Sequence, residues 1–196
     1  MKTTLAQART FVAAILCATA VEFTTAAWAT PDPDLDVNIQ IVDGEIRANV
    51  SMFVRAPQQR VWDVIVDYER APEYMRDLRV SKVISRTGNT LRVMQKDQVH
   101  YGPFTFAVDT VKDVRLTAPV RAESHLVSGS MKKYEAVTEL MPTAGGTRVT
   151  YRSQSIPESA LATLAGESTV KRITEERFRQ VRAEILRREV VAAQQH

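Results

Sequence analysis

Cysteine is almost missing: Cys17 is the only one in 196 residues, and it lies inside an N-terminal apolar run. One thiol cannot form an internal disulfide or a thiolate metal cluster. Histidine is nearly as scarce, limited to His100, His125 and the terminal His196. With no H-x-x-x-H pair, no G-x-S-x-G turn and no paired-carboxylate motif, the chain offers no recognisable catalytic constellation, and neither a metal nor any other cofactor is expected. The seven glycines include no phosphate-cradling loop, since Ala144-Gly145-Gly146 has the texture of a hairpin turn. An excess of one charge is lacking as well. Twenty-six Lys and Arg against 23 Asp and Glu give a net +3, which is too little for the strongly basic face that nucleic acid requires.

What is present begins with a positive end, Lys2 and Arg9, followed by the apolar run Phe11–Val21 and then Ala27-Trp28-Ala29. This order of basic end, short apolar core and small-x-small site predicts a cleavable secretion signal over residues 1–29, with cleavage near Ala29 and a periplasmic or secreted product. The run is too short for a transmembrane helix, which needs about 20 apolar residues. Leu16, large and directly before Cys17, argues against lipid attachment there. Cleavage removes the only thiol and lowers the net charge by one, because Lys2, Arg9 and Glu22 leave together. A polar, proline-containing arm over 30–35 and one domain over 36–192 are expected to remain.

Val37–Ile41 alternates apolar and polar residues, Asp43-Gly44 signals a hairpin, and Ile46–Val54 continues as a strand. Helical spacing then takes over, with Val61, Trp62, Ile65 and Val66 behind Pro57 and a shorter turn at Ala71–Met75. From Arg79 the pattern returns to strands, over 79–86, 90–100, 103–116, 120–127, 131–141 and 147–156, separated by hairpin-length punctuation that makes neighbours antiparallel. A long helix is expected last, started by Pro157, interrupted at Gly166, and running from Ser168, or Thr169 as its cap, to about Val190. Val170, Ile173, Phe178, Val181 and Ile185 share one face of it, while Arg172, Glu175, Glu176 and Arg179 share the other.

The segment Val54-Arg-Ala-Pro-Gln-Gln-Arg-Val-Trp-Asp-Val-Ile-Val-Asp-Tyr-Glu-Arg-Ala-Pro-Glu-Tyr-Met75, together with Lys133-Tyr134-Glu135, Thr147–Tyr151 and the helix after Pro157, resembles the START-like (SRPBCC) superfamily. Within it, the likeness is to the coenzyme Q-binding and polyketide cyclase/dehydrase branch, over about 45–190. The resemblance implies an α+β helix-grip fold, in which a curved antiparallel sheet of about six to eight strands wraps a long C-terminal helix. It also implies a cavity between them for a lipid, isoprenoid, polyketide or similar hydrophobic ligand.

By that resemblance Trp62, Tyr74 and Met75 form one lip of the cavity, with ordinary core as the alternative for Trp62. Met94, Phe104, Phe106, Met131 and Tyr134 are candidate lining on the strands, although alternation does not say which face is concave. Tyr151 is a further lining candidate, and Ser153 and Ser155, which alternate with it, can supply hydroxyls to a cavity mouth or stand as exposed edge serines. Thr174 and Arg177 fall inside the apolar arc of the helix beside Phe178. Arg177 can hold a carboxylate, phosphate or quinone oxygen with its fork of donors, or lie along apolar surface with its charge paired to a strand acid. The basic residues Lys171, Arg172, Arg177, Arg179, Arg182, Arg187 and Arg188 are diluted by acids, so a solvated helix face competes with transient contact to anionic lipid heads.

Three functions fit. The first is an exported carrier of a hydrophobic small molecule, without chemistry of its own. The second is a cyclase, aromatase or dehydratase moving protons through Arg177, His100 or Tyr134. The third is an envelope interaction protein whose cavity is vestigial.

Overall fold

Burial alternates along the strands as their sequence pattern demands. The structure, a computed structural model, describes residues 32–101, 104–158 and 166–194, so the expected signal over 1–29 lies outside the described residues. β1 (Leu35–Val42) buries Val37 and Ile39 and exposes Asp36, Asn38 and Gln40, and β2 (Glu45–Val54) buries Ala48, Val50, Met52 and Val54. Asp43 and Gly44 join them at φ 50° and 79°, the paired positive values of a type I′ hairpin turn. α1 (Gln58–Ile65) follows, with Pro57 as its extended cap residue and Val61, Trp62 and Val64 turned inward. After α2 (Ala71–Tyr74) the chain runs through β3 (Leu78–Thr87), β4 (Thr90–Tyr101), β5 (Phe104–Thr117), β6 (Arg121–Gly129), β7 (Met131–Thr143) and β8 (Gly146–Pro157) to α3 (Gly166–Ala193).

The strands form one antiparallel sheet in the order β1-β2-β8-β7-β6-β5-β4-β3. α1 and α2 carry the chain from β2 to β3 at the opposite edge, and the meander returns until β8 pairs with β2, setting Tyr151 opposite Val50. One face of the sheet carries cross-strand ion pairs: Arg92–Asp113, Arg115–Glu123, Arg121–Glu139 and Arg152–Glu139. The other face is apolar. Met52, Leu91, Val93, Val114, Leu140 and Val149 pack there with Val61, Trp62 and Val64 of α1 and Ile185 of α3, and a smaller cluster of Val37, Ile39, Ala48 and Val50 lies against Val170 and Phe178. This is the helix-grip arrangement.

Pro157 closes β8 opposite Met131, its fixed φ suiting a strand end as well as a first helical turn, and the helix start expected between it and Gly166 lies outside the described residues. Gly166, at φ 74°, is the first described residue of α3, and Ser168 and Thr169 lie within the turn that follows it. β1 begins at Leu35, inside the stretch read as an arm, and Asp32 of that stretch is ion-paired to Arg182 of α3.

Ionic contacts clamp α3 along its length. Arg177 reaches Asp97 of β4, Arg188 reaches Asp67 beyond α1 (2.8 Å), and Arg60 of α1 reaches Glu189 (3.2 Å). Glu184, buried, takes both Arg187 and Arg188 at 2.7 Å. The Arg187 hydrogen bonds, seconded by Arg188 and opposed by burial, hold its carboxyl down to about 2 from an ordinary 4.5.

Two stability measurements follow from this packing. Ile185, with no exposed surface, should lose about 2–5 kcal/mol when changed to Ala, read by denaturant unfolding. Because the folded-state pKa of Glu184 is depressed, its contribution is complete above about pH 4.5 and disappears as pH falls toward 2. Glu184→Gln should cost about 1–3 kcal/mol at neutral pH and flatten the acid loss of stability over that window, and unchanged acid slopes in the variant would refute the assignment.

Candidate functional site

The apolar face of the sheet is not fully covered by α3. Between that face, α3 and the segment from α1 through α2 lies a cavity of about 350 Å³, within the range of small-molecule pockets. Strand alternation sets its walls: Ile46, Ala48 and Met52 from β2, Val149, Tyr151, Ser153 and Ser155 from β8, Tyr134 and Thr138 from β7, and Ser124 from β6. Gln95 of β4 and Lys112 of β5 continue this inner row. The roof is made by Val64, Ile65, Tyr68, Tyr74 and Met75 on one side and Val170, Thr174, Arg177, Phe178 and Val181 of α3 on the other.

Polar groups gather toward β4 and β5. Lys112 Nζ donates to Gln95 Oε1 at 2.5 Å and stands 5.0 Å from the centre of the Tyr134 ring, a cation–π arrangement. Gln95 Nε2 in turn donates to the buried Ser81 hydroxyl at 3.1 Å. The hydroxyls of Tyr134 and Tyr151 share a hydrogen bond of 3.2 Å, and the Tyr151 ring packs 5.4 Å from Phe178. Arg177 Nη2 donates to Asp97, while its Nε is buried without an acceptor among the described residues.

Burial dominates the acid–base character of the cavity. It pushes the Lys112 ammonium down to about 8, with Asp97 opposing and Arg177 reinforcing that fall. It pushes the hydroxyls of Tyr134 and Tyr68 well up, and that of Tyr74 up to about 12. At neutral pH the site is therefore furnished with donors: a charged lysine, a guanidinium and protonated phenols. The carboxylates nearby are already engaged, Asp97 by Arg177 and Asp67 by Arg188.

The structure brings together Tyr74, Met75, Tyr134, Tyr151, Thr174, Arg177 and Phe178 of the sequence candidates, with Ser153 and Ser155. Thr174 spends its hydroxyl on the carbonyl of Val170, at 2.8 Å. Both readings of Arg177 hold together, since it lines the cavity and pairs with a strand acid. Trp62 takes its alternative reading as core, 5 % exposed and packed with Val61 and Val64, and the lip reading is corrected, since it does not line this cavity. Met94 is a further correction: Val93 and Gln95 face inward, so the alternation of β4 turns Met94 to the outer face. Phe106, on the inner row of β5, and Met131, before the irregularity in the β7 register, both lie beyond the cavity walls, and the Phe104 side chain is outside the described residues.

His100 and His125 are exposed, and His100 Nδ1 bonds the Thr105 hydroxyl at 3.0 Å, away from the cavity. Among the described residues no group of three metal-ligating side chains forms, and no helix is long and apolar enough to cross a membrane. Sequence reasoning missed Lys112, Gln95 and Tyr68. The available signal for Lys112 was its position in the row Val108, Thr110, Lys112, Val114, where a cation interrupts one face of a strand.

Residues 54–185 match the family described as polyketide cyclase / dehydrase and lipid transport. No curated protein sequence matches the chain. Among solved structures, a STAR-related lipid transfer protein from Xanthomonas axonopodis (fragment 25–204) superposes with TM-score 0.67 at 15% identity, covering 80% of this chain and 96% of that one. An aromatase/cyclase, Zhui from Streptomyces sp. R1128, gives 0.61 at 12%, covering 74% and 95%. The protein TTHA0849 from Thermus thermophilus gives 0.62 at 20%, covering 72% and 97%. At such identities the likeness establishes the shared fold alone. Matched over 54–185, about two thirds of its length, the chain belongs to the polyketide cyclase/dehydrase and lipid transport family.

Proposed function

We propose that this protein is an exported carrier that holds a hydrophobic small molecule between its sheet and α3 and performs no chemistry on it. The observation that carries the reading is the cavity of about 350 Å³, walled by aliphatic and aromatic side chains and roofed by a helix that does not fill it. Binding there is driven by removing apolar ligand surface from water, with shape setting selectivity. The lipid transfer protein with the same fold supports this reading. The export part rests on residues 1–29 and their basic, apolar and small-x-small order.

A cyclase- or dehydratase-type enzyme is the second reading, favoured by the Tyr134–Tyr151 pair beside Lys112 and by the aromatase/cyclase of the same fold. Proton abstraction needs a base near neutral pH. The cavity supplies phenols with raised pKa, carboxylates already committed to arginines and one amine, Lys112, which at about 8 is mostly protonated at neutral pH, and this favours the carrier.

Purification from the native envelope followed by mass spectrometry of extracted lipids should recover one hydrophobic species at near-stoichiometric amount, on a chain whose first residue is Thr30. Repeated recovery of an empty protein, or of a cytoplasmic chain retaining residues 1–29, would count against the reading. Ser153→Phe, which fills a wall position between the small neighbours Ala48 and Ala136 on the flanking strands, should weaken binding of a fluorescent fatty probe by about tenfold or more with unchanged circular dichroism.

A further inference from the structure

We infer that the cargo is an amphipathic anion, its acid group received by Lys112 Nζ and Arg177 Nε and its apolar part laid along the cavity walls. This rests on the carrier reading and adds the chemical class of the ligand.

Charge accounting leads to it. The charged groups facing Lys112 are Asp97 of β4 and Arg177 of α3, and the phenols of Tyr134 on β7 and Tyr68 after α1, raised by burial, stay neutral beside it, with the Tyr151 hydroxyl bonded to that of Tyr134. Asp97 is committed to Arg177, and Asp67 on the cavity roof is committed to Arg188. The polar end of the cavity therefore keeps one positive charge in excess. Lys112 meets it with a neutral amide oxygen and an aromatic face, and no carboxylate among the described residues lies within the 4.0 Å of an ion pair.

An ammonium taken out of water without a counter-ion is costly, and its N–H groups call for acceptors. Gln95 satisfies one of three donors on Lys112, and the buried Nε–H of Arg177 has no acceptor at all among the described residues. Two donor groups on one cavity, with one surplus charge between them, are complementary to an oxyanion. A neutral carbonyl or hydroxyl would accept the hydrogen bonds and leave the charge uncompensated. The placement is also local frustration of the kind that marks function: on β5 an inward row of Val108, Thr110 and Val114 admits a lysine where apolar burial alone would exclude one.

Dodecanoate, dodecyl phosphate and dodecanol, titrated into the delipidated chain at about pH 6.5 by calorimetry, separate the possibilities. One or both acids should bind about tenfold or more tightly than the alcohol, and which acid leads tells a carboxylate from a phosphate head. Lys112→Met should remove about tenfold of acid affinity and change alcohol affinity by less than about threefold, with Lys112→Arg restoring part of the preference. Equal binding of acids and alcohol by the unaltered protein overturns the inference while leaving the carrier reading intact, and needs no variant to fold. Failure of all three probes to bind overturns both.

Discussion

The inner face of the sheet is wider than the single helix that lies on it. Eight strands at about 4.8 Å spacing span about 34 Å, whereas a helix with its side chains is about 10 Å across. α3 therefore covers a stripe, and the remaining face must be filled by side chains, roofed by other elements or left open. α1 fills one end with Val61, Trp62 and Val64 against Val93, Val114 and Val149. Over the middle, α1, α2 and the segment between them only roof the sheet, and the small residues Ala48, Ser124 and Ser153 leave the volume beneath unfilled. The cavity follows from this mismatch of widths together with small side chains at the positions that would otherwise plug it.

A cavity so made stays open only if its roof is held, and α3 is held by charge as much as by packing. Ile185 seats it in the core, while Arg188, Glu189 and Arg177 tie it to the segment after α1, to α1 itself and to β4. Arg177 links architecture to the cavity it lines, since one nitrogen fixes the helix to the sheet and another is buried without an acceptor among the described residues. Neutralising Asp97 in this way leaves Lys112 without a counter-ion. The positive character of the cavity thus arises from how the helix is anchored.

Strands, their hairpins and the C-terminal helix were legible because period-two and period-3.6 burial leave marks in the sequence, and Asp43-Gly44 names its own turn. Pro157 closes β8, since one φ serves a strand end as well as a first helical turn. Trp62 was left between lip and core, and Met94 was placed among the lining, because both are apolar on regular elements and only the packing shows that one helps close the core and the other faces away. Tyr134 and Tyr151 were legible as residues but not as a pair, since 17 positions separate hydroxyls that meet across β7 and β8.

By itself the sequence determined the order of elements, the family over 54–185, the inward rows of each strand up to the choice of face, and the scarcity of thiol and histidine chemistry. Tertiary structure decided which face is concave, that Lys112 is buried beside Tyr134, and that Asp97 serves Arg177 and not Lys112. The physical reason is that alternation fixes faces relative to one another within a strand. Burial, cavity shape and the pairing of charges are properties of elements brought together from 80 residues apart, as Asp97 and Arg177 are.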